Sequence, residues 1–510
     1  MSYFCLRHNV YDGDYLLQTA IIECIVSYMV MTSSQFLKNA LSWLGSNLLG
    51  RFVAAILFIL LTNRATLEET GAYTLGFTYL MLFTPLSLWG LEQLVIRNIA
   101  QDRKLAPIYL SNFLLIRFSV ALISYFVLIK ITALIGYASY TRTIILLIGL
   151  TLITENVGML IQSFFIAFEQ TARIFQVSLV SNLIRLGLGV YILFNGGGAL
   201  ALAIIFVVAT LLKMGLLLLM LFKYITKLIP ITRFDSSFWK TQFKLAYPFI
   251  FFDFFFAVDL QIGQVLLSID RGEEALGLYA AAFTIVSVIM LFSQAYMMAI
   301  FPIMSRLYID SVEKLNVIYE KSCRYLLVIS LPLAVIISMM SSSILGAMYP
   351  DKFQAASLVL TVLVWSTVFI FLNVPNSRLM VITNHQGIQA LFMGVSAVIS
   401  IVLNLVLLPH FGIIGVALAK VISAFVFFIP NYIFVYYNIC RFNILQAALR
   451  PTIGAVGMVL CFFLLSTWPP LIVLVLAIGV FSGIIFWLGV ITKGDLLFFR
   501  QTVVGLLQRS

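Results

Sequence analysis

Runs of about twenty mainly apolar residues recur along this chain, separated by short polar connections, and an α-helix needs about that length to cross a bilayer. Read between charges and Gly, Pro or Asn breaks, the runs fall at 40–62, 72–92, 108–131, 143–168, 174–195, 198–222, 244–268, 275–302, 323–348, 355–382, 388–409, 412–437, 450–468 and 470–492. Only 10% of the 510 residues are charged and 62% are hydrophobic, whereas a soluble domain carries about 25% charged residues. So little charge cannot clothe a soluble core, and lipid must be the solvent for most of the chain. The expected fold is an all-α polytopic membrane protein of about fourteen transmembrane helices. Its least secure divisions lie near Asn195–Gly198, Pro409–Gly412 and Trp468–Pro470, where connectors are very short.

The net charge of +11 would suggest nucleic acid in a soluble protein. Here the basic residues stand mostly between apolar runs, where topology accounts for them, and no nucleic-acid partner is expected. With the start placed inside, twenty-one Lys and Arg fall on the inner side, five (Arg64, Lys130, Arg142, Arg271, Lys352) on the outer side, and five within spans. That bias implies an inner-membrane protein with an even number of crossings and both termini cytoplasmic. Residues 1–30 read poorly as a signal peptide, with Asp12 and Asp14 in the flank, and poorly as a span, with Glu23 in the middle. Met31, opening MTSSQFLKNALSW, is the expected natural start. The five cysteines form no CxxC pair and the three histidines lie far apart, so neither a disulfide framework nor a metal motif is expected, and no cofactor is.

Two blocks of the chain echo one another. Gly71, Tyr73 and Phe77 recur as Gly277, Tyr279 and Phe283 at an offset of 206, as do Lys38 and Ala40 in Lys244 and Ala246. Gly196 with Ala201-Leu202-Ala203 recurs as Gly412 with Ala417-Leu418-Ala419 at an offset of 216. A duplicated six-helix block keeps the same topology in both copies, related by an axis along the membrane normal. The division expected is a segment 1–38, an N-terminal lobe 39–222, a basic cytoplasmic linker 223–243, a C-terminal lobe 244–437, and two further helices with a tail over 438–510.

Eight ionisable residues lie well inside the runs: Arg51, Arg117, Arg185, Lys213, Lys420, Glu155, Asp253 and Asp259. A charge at a helix centre costs about 2.5–3.5 kcal/mol on insertion scales. Eight facing lipid would cost on the order of 20 kcal/mol, beyond a typical net stability of ~5–15 kcal/mol. Most must therefore face protein or water. Arg51, Arg185 and Glu155 lie nearest mid-span, and Asn47 shares a helix face with Arg51. Arg117, Lys213 and Lys420 stand where a shifted helix end would let a long side chain reach the interface. Asp253 and Asp259 have two readings, as partners of a bend or a neighbouring arginine and as functional acids. A cavity lined by guanidinium groups suits phosphate or carboxylate. Pro248, Pro302, Pro332 and Pro375 permit kinks in spans seven to ten.

Over residues 31–495 the chain resembles the polysaccharide flippases, the O-antigen (Wzx-type) translocases of the multidrug/oligosaccharidyl-lipid/polysaccharide exporter superfamily. The likeness rests on the 6+6+2 arrangement, the junctions Glu68-Glu69-Thr70-Gly71-Ala72-Tyr73 and Glu273-Glu274-Ala275-Leu276-Gly277-Leu278-Tyr279, the turn Gly412 to Ala419, the opening LKNALSW and the segment Asp259 to Tyr279. It implies two six-helix lobes forming a V-shaped cavity plus two extra helices. It further implies movement of undecaprenyl-pyrophosphate-linked oligosaccharide from the cytoplasmic to the periplasmic leaflet, with a polysaccharide polymerase and a chain-length regulator as partners. On that resemblance Arg51, Arg117 and Arg185, with Lys213 and Lys420, are candidate cavity cations for the substrate. Glu155, Asp253 and Asp259 are candidates for coupling to a proton or sodium ion. A murein-precursor flippase and a multidrug antiporter of the same superfamily share this architecture. A membrane polymerase or glycosyltransferase fits less well: external connections of about 1–13 residues leave no room for a catalytic loop. An enzyme is not expected.

Overall fold

The computed structural model describes residues 42, 45–46, 48–88, 92–225 and 236–489. The expected start at Met31, the basic residues of the linker from Lys227 to Arg233, Asn47 and the tail beyond 489 lie outside them. Described residues 48–64 are helical (α1). There follow α2 (Leu67–Leu88), α3 (Glu92–Gln101), a 3-10 turn (Arg103–Leu105), α4 (Ala106–Ile135), α5 (Ser139–Ala167), α6 (Thr171–Phe194), α7 (Ala199–Tyr224) and α8 (Ser236–Asp310). Then come α9 (Val312–Met339), α10 (Ser341–Met348), a 3-10 turn (Asp351–Ala356), α11 (Ser357–Leu363), α12 (Ser366–Ile382), α13 (Gln386–Phe411), α14 (Ile413–Asn438), α15 (Ile444–Leu464) and α16 (Pro470–Trp487). The expected N-terminal lobe holds α1–α7 and the expected C-terminal lobe α8–α14; α2 packs across to α8, while α15 packs on α9 and carries α16.

By length and apolar character, ten helices qualify as crossing a membrane, or eleven with the pair Asp351–Leu363 and Ser366–Ile382 taken as one bent span. The difference from fourteen has identifiable sources. The run 40–62 lies partly outside the described residues. The runs 244–268 and 275–302 are two helices, the two limbs of α8, that meet at a break at Gly272 (φ 79°, ψ −178°), a conformation glycine adopts without a Cβ penalty, and they count once. The run 72–92 corresponds to α2, which is less apolar because it carries Thr70, Thr74, Thr78 and Thr84. Each of these hydroxyls donates back to the carbonyl four residues earlier, at 2.6–3.0 Å, so the helix keeps its polar groups satisfied without water. With Thr70, Ala72, Leu75, Thr78 and Tyr79 all buried, α2 faces protein, where lipid-grade hydropathy is not required.

The connection expected over 303–322 is almost wholly helical. α8 runs to Asp310 and α9 begins at Val312, with Ser311 between them as an N-cap whose hydroxyl accepts from the Lys314 amide. The expected short turns at 195–198 and 409–412 are present, and both repeat-related glycines there, Gly196 and Gly412, take positive φ (85° and 57°). The 43° bend in the C-terminal lobe falls at 364–365, between α11 and α12, and not at Pro375.

The glycines of the repeat meet each other. A Cβ on Gly71 would lie 1.8 Å from the Glu273 carbonyl oxygen, and a Cβ on Gly277 would lie 2.4 Å from that of Leu67. Leu67 and Glu273 are themselves separated by the offset of 206, so the contact is reciprocal, as a local two-fold axis requires. α2 and the second limb of α8 thus cross backbone to backbone beside the Glu68-Glu69 and Glu273-Glu274 junctions.

Candidate functional site

The lobes are joined on the side of the membrane that carries the Glu68-Glu69 and Glu273-Glu274 junctions. Lys352 donates to the Ala65 carbonyl. The Tyr137 hydroxyl bonds Ser268 (3.0 Å) and Tyr79 (3.1 Å). The Phe58 and Tyr349 rings meet edge to face with centroids 6.4 Å apart. Deeper in the bilayer, Thr78 donates to Gln264 (3.0 Å), and the Gln261 amide reaches the Met81 sulfur at 3.1 Å. Beyond that level, toward the side bearing Arg97, Arg103, Lys104 and Arg173, the facing surfaces of α1 and α8 carry exposed charges.

Helix periodicity identifies those surfaces. Arg51 is seven residues before Phe58 and eleven before Thr62, so the three share one face of α1. Phe58 touches the C-terminal lobe, while Arg51, further along the same face, is exposed. Asp253 is eleven residues before Gln264 on the first limb of α8 and is likewise exposed on the face whose deeper end contacts α2. Asp253 also lies within electrostatic range of Glu92 at the start of α3. An exposed arginine on α1 and an exposed acid on the first limb of α8 therefore lie on the faces whose other ends carry the contacts between the lobes.

The other six mid-span charges are inside the lobes. Lys420 on α14 donates to the Asp259 carboxylate at 2.5 Å and to the Asp259 carbonyl at 3.2 Å, with both side chains under one-tenth exposed. Asp259 Oδ1 and the Asn404 Oδ1 atom, which lies close to Gly263 one turn beyond Asp259, have no partner. Lys213 on α7 pairs with Glu155 on α5 at 3.4 Å. Arg185 is buried over the Phe206 ring, 4.6 Å from its centroid, beside Tyr73. Arg117 is buried, with Nη1 3.5 Å from Glu92 Oε1 and 3.4 Å from the Asn156 carbonyl. Its Nε and Nη2 are unpaired among the described residues, and an unsatisfied buried donor costs about 1–3 kcal/mol.

The eight charges thus separate into two exposed residues, Arg51 and Asp253, four buried ones and the half-buried pair Lys213–Glu155, with Lys420–Asp259 and Lys213–Glu155 as acid–base pairs that cross helices. Reading the cations as one lining and the acids as another does not anticipate this pairing. Glu92 and the bridging residues Tyr137, Gln261 and Gln264 carry no sequence signal as part of a site: Glu92 stands at the end of an apolar run, and the others are uncharged. Arg378, counted among connections, lies on α12 over the Phe301 ring at 5.6 Å. Among the described residues no group of three or more His, Cys, Asp or Glu is placed to hold a metal ion.

The fold defines a multi-pass membrane protein of the two-lobed transporter type. The chain belongs to the family of polysaccharide biosynthesis proteins, whose model matches residues 36–308. A second family model, MatE, matches residues 248–406. The chain is similar to the "Probable low-salt glycan biosynthesis flippase Agl15" of Haloferax volcanii, 27% identical over 159 residues, covering 31% of this chain and 34% of that protein. It is also 25% identical over 149 residues to an uncharacterised membrane protein of Methanocaldococcus jannaschii, covering 29% of each. These stretches span about a third of the curated relatives' length. The lipid II flippase MurJ in an inward closed conformation shares the fold, with a TM-score of 0.69 at 14% identity over 90% of this chain and 98% of that one. So does a multidrug resistance MATE family transporter of the MOP superfamily in an inward-facing conformation, with a TM-score of 0.62 at 14% identity over 76% and 94%.

Proposed function

We propose that this protein is a flippase for an undecaprenyl-pyrophosphate-linked oligosaccharide, carrying it from the cytoplasmic to the periplasmic leaflet of the inner membrane by alternating access of a cleft between the lobes. The observation that carries this reading is the placement of Arg51 and Asp253, exposed on faces whose other ends join the lobes, in a chain of the polysaccharide biosynthesis family. A guanidinium at lipid depth that faces a cleft suits a phosphorylated headgroup, while a long prenyl tail stays in the bilayer beside it. The side bearing most of the basic residues is cytoplasmic in this scheme, so the conformation described is open toward the cytoplasm.

Movement is coupled to a proton or sodium ion, and Asp259, Asp253 and Glu155 are the acids that would sense it. Asp259 and Glu155 each sit in a cross-helix ion pair within one lobe, and neutralising the acid would release its cation and alter the packing of α8 on α14 or of α5 on α7. Deletion of the gene should cause lipid-linked repeat units to accumulate on the cytoplasmic leaflet while surface polysaccharide is lost. Normal surface polysaccharide without such accumulation would exclude the assignment.

A further inference from the structure

Arg117 has more hydrogen-bonding capacity than its surroundings use. A guanidinium carries five N–H donors, yet Arg117, 1% exposed, makes its described contacts through Nη1 alone. Nε and Nη2, the edge that binds an oxyanion bidentately, have no partner among the described residues. The 3.5 Å contact to Glu92 is long for a charge-assisted hydrogen bond, which runs about 2.7–2.9 Å. Glu92 is 32% exposed and so is the open member of the pair. Asp253, an exposed acid on the first limb of α8, lies within electrostatic range of Glu92. A carboxylate held by one long contact, against a cation with idle donors, is weakly retained.

We propose that Glu92 is an exchangeable counter-ion that covers a phosphoryl-binding site built on Arg117. A phosphate group entering from the cleft displaces the Glu92 carboxylate and takes the Nε and Nη2 donors. The pyrophosphate bridge, singly charged on each phosphoryl group and so doubly charged in all, outcompetes the singly charged carboxylate, and its oxygens match the planar fork. Asp253 ties the exchange to the lobes: it stands on α8 and Glu92 on α3, so their separation changes with the lobe arrangement. This inference rests on the pyrophosphate-linked cargo of the proposed function and adds a residue, Glu92, that regulates its capture.

The test is the affinity of the full chain in detergent for inorganic pyrophosphate, measured by calorimetry, with glucuronate as a second ligand and thermal unfolding to verify each variant. Glu92→Gln should bind pyrophosphate at least tenfold more tightly than the wild type. Adding Arg117→Lys, which keeps the charge but loses the fork, should remove most of that gain. Glucuronate should show the smaller change. An unchanged or weaker affinity in Glu92→Gln overturns the proposal, as a merely structural ion pair would lower stability without raising affinity. A gain that survives Arg117→Lys undiminished, or one larger for glucuronate, overturns it equally. Pyrophosphate binding is read without translocation, so its outcome is separate from that of the gene deletion.

Discussion

Arg51 and Lys420 mark the two fates of a charge at bilayer depth in this protein. Arg51 is exposed, with no ion-pair partner among the described residues, so its removal leaves nothing unpaired. Arg51→Ala should change unfolding stability by no more than about 0.5 kcal/mol while sharply reducing complementation of a deletion strain at equal protein levels. Full complementation would take Arg51 out of the substrate path. Lys420 is the opposite case. Lys420→Met leaves the Asp259 carboxylate buried without its cation, a change that costs about 3–5 kcal/mol, and Asp259→Leu in the same chain should recover much of that loss. Thermal unfolding of the single and double variants measures the difference. A double variant as unstable as the single one would show that shape, not charge, holds the α8–α14 contact. Both predictions depend on which way each side chain points, which its position in an apolar run does not reveal.

Among elements, the crossing of α2 with the second limb of α8 is the most demanding, because two backbones touch where two glycines stand. Gly71→Ala places a methyl carbon 1.8 Å from a carbonyl oxygen, so the lobes must separate locally; overpacking of this kind costs about 1–3 kcal/mol. Gly277→Ala should behave the same way, since its contact is the reciprocal one. Gly187→Ala on α6, with open space around it, is the control and should be neutral or slightly stabilising. Equal unfolding temperatures for all three would refute the close crossing. The sequence exposes this pair as a repeated motif, and the structure supplies the reason for it. By contrast, the helical character of 303–322 was hidden. Polar residues there read as a loop when only mean hydropathy is followed, yet helix continues because Leu315, Tyr319 and their neighbours still bury one face.

At the scale of the molecule, function requires the junction between lobes to open. Cysteines at positions 78 and 264, joined by a short bifunctional thiol reagent in a cysteine-free background, should abolish transport, and cleavage of the link should restore it. Transport that persists in the fully cross-linked protein would mean that the lobes need not part there. A single cysteine at position 51 should react with a water-soluble thiol reagent, whereas one at 185, packed over Phe206, should not; reaction at both or neither contradicts the cleft as drawn.

The sequence alone determined that the chain lives in lipid, that its fold is all helical, that its halves are related, and which eight charges must avoid the bilayer. These follow from hydropathy, from spacing and from the cost of burying charge, all of them local properties. Only tertiary structure decided that Asp253 is exposed while Asp259, six residues on, turns inward to Lys420, and that Glu92 faces Arg117. Such pairings depend on how helices far apart in sequence are rotated against one another, and each rotation is set by close packing over whole faces, not by any single residue.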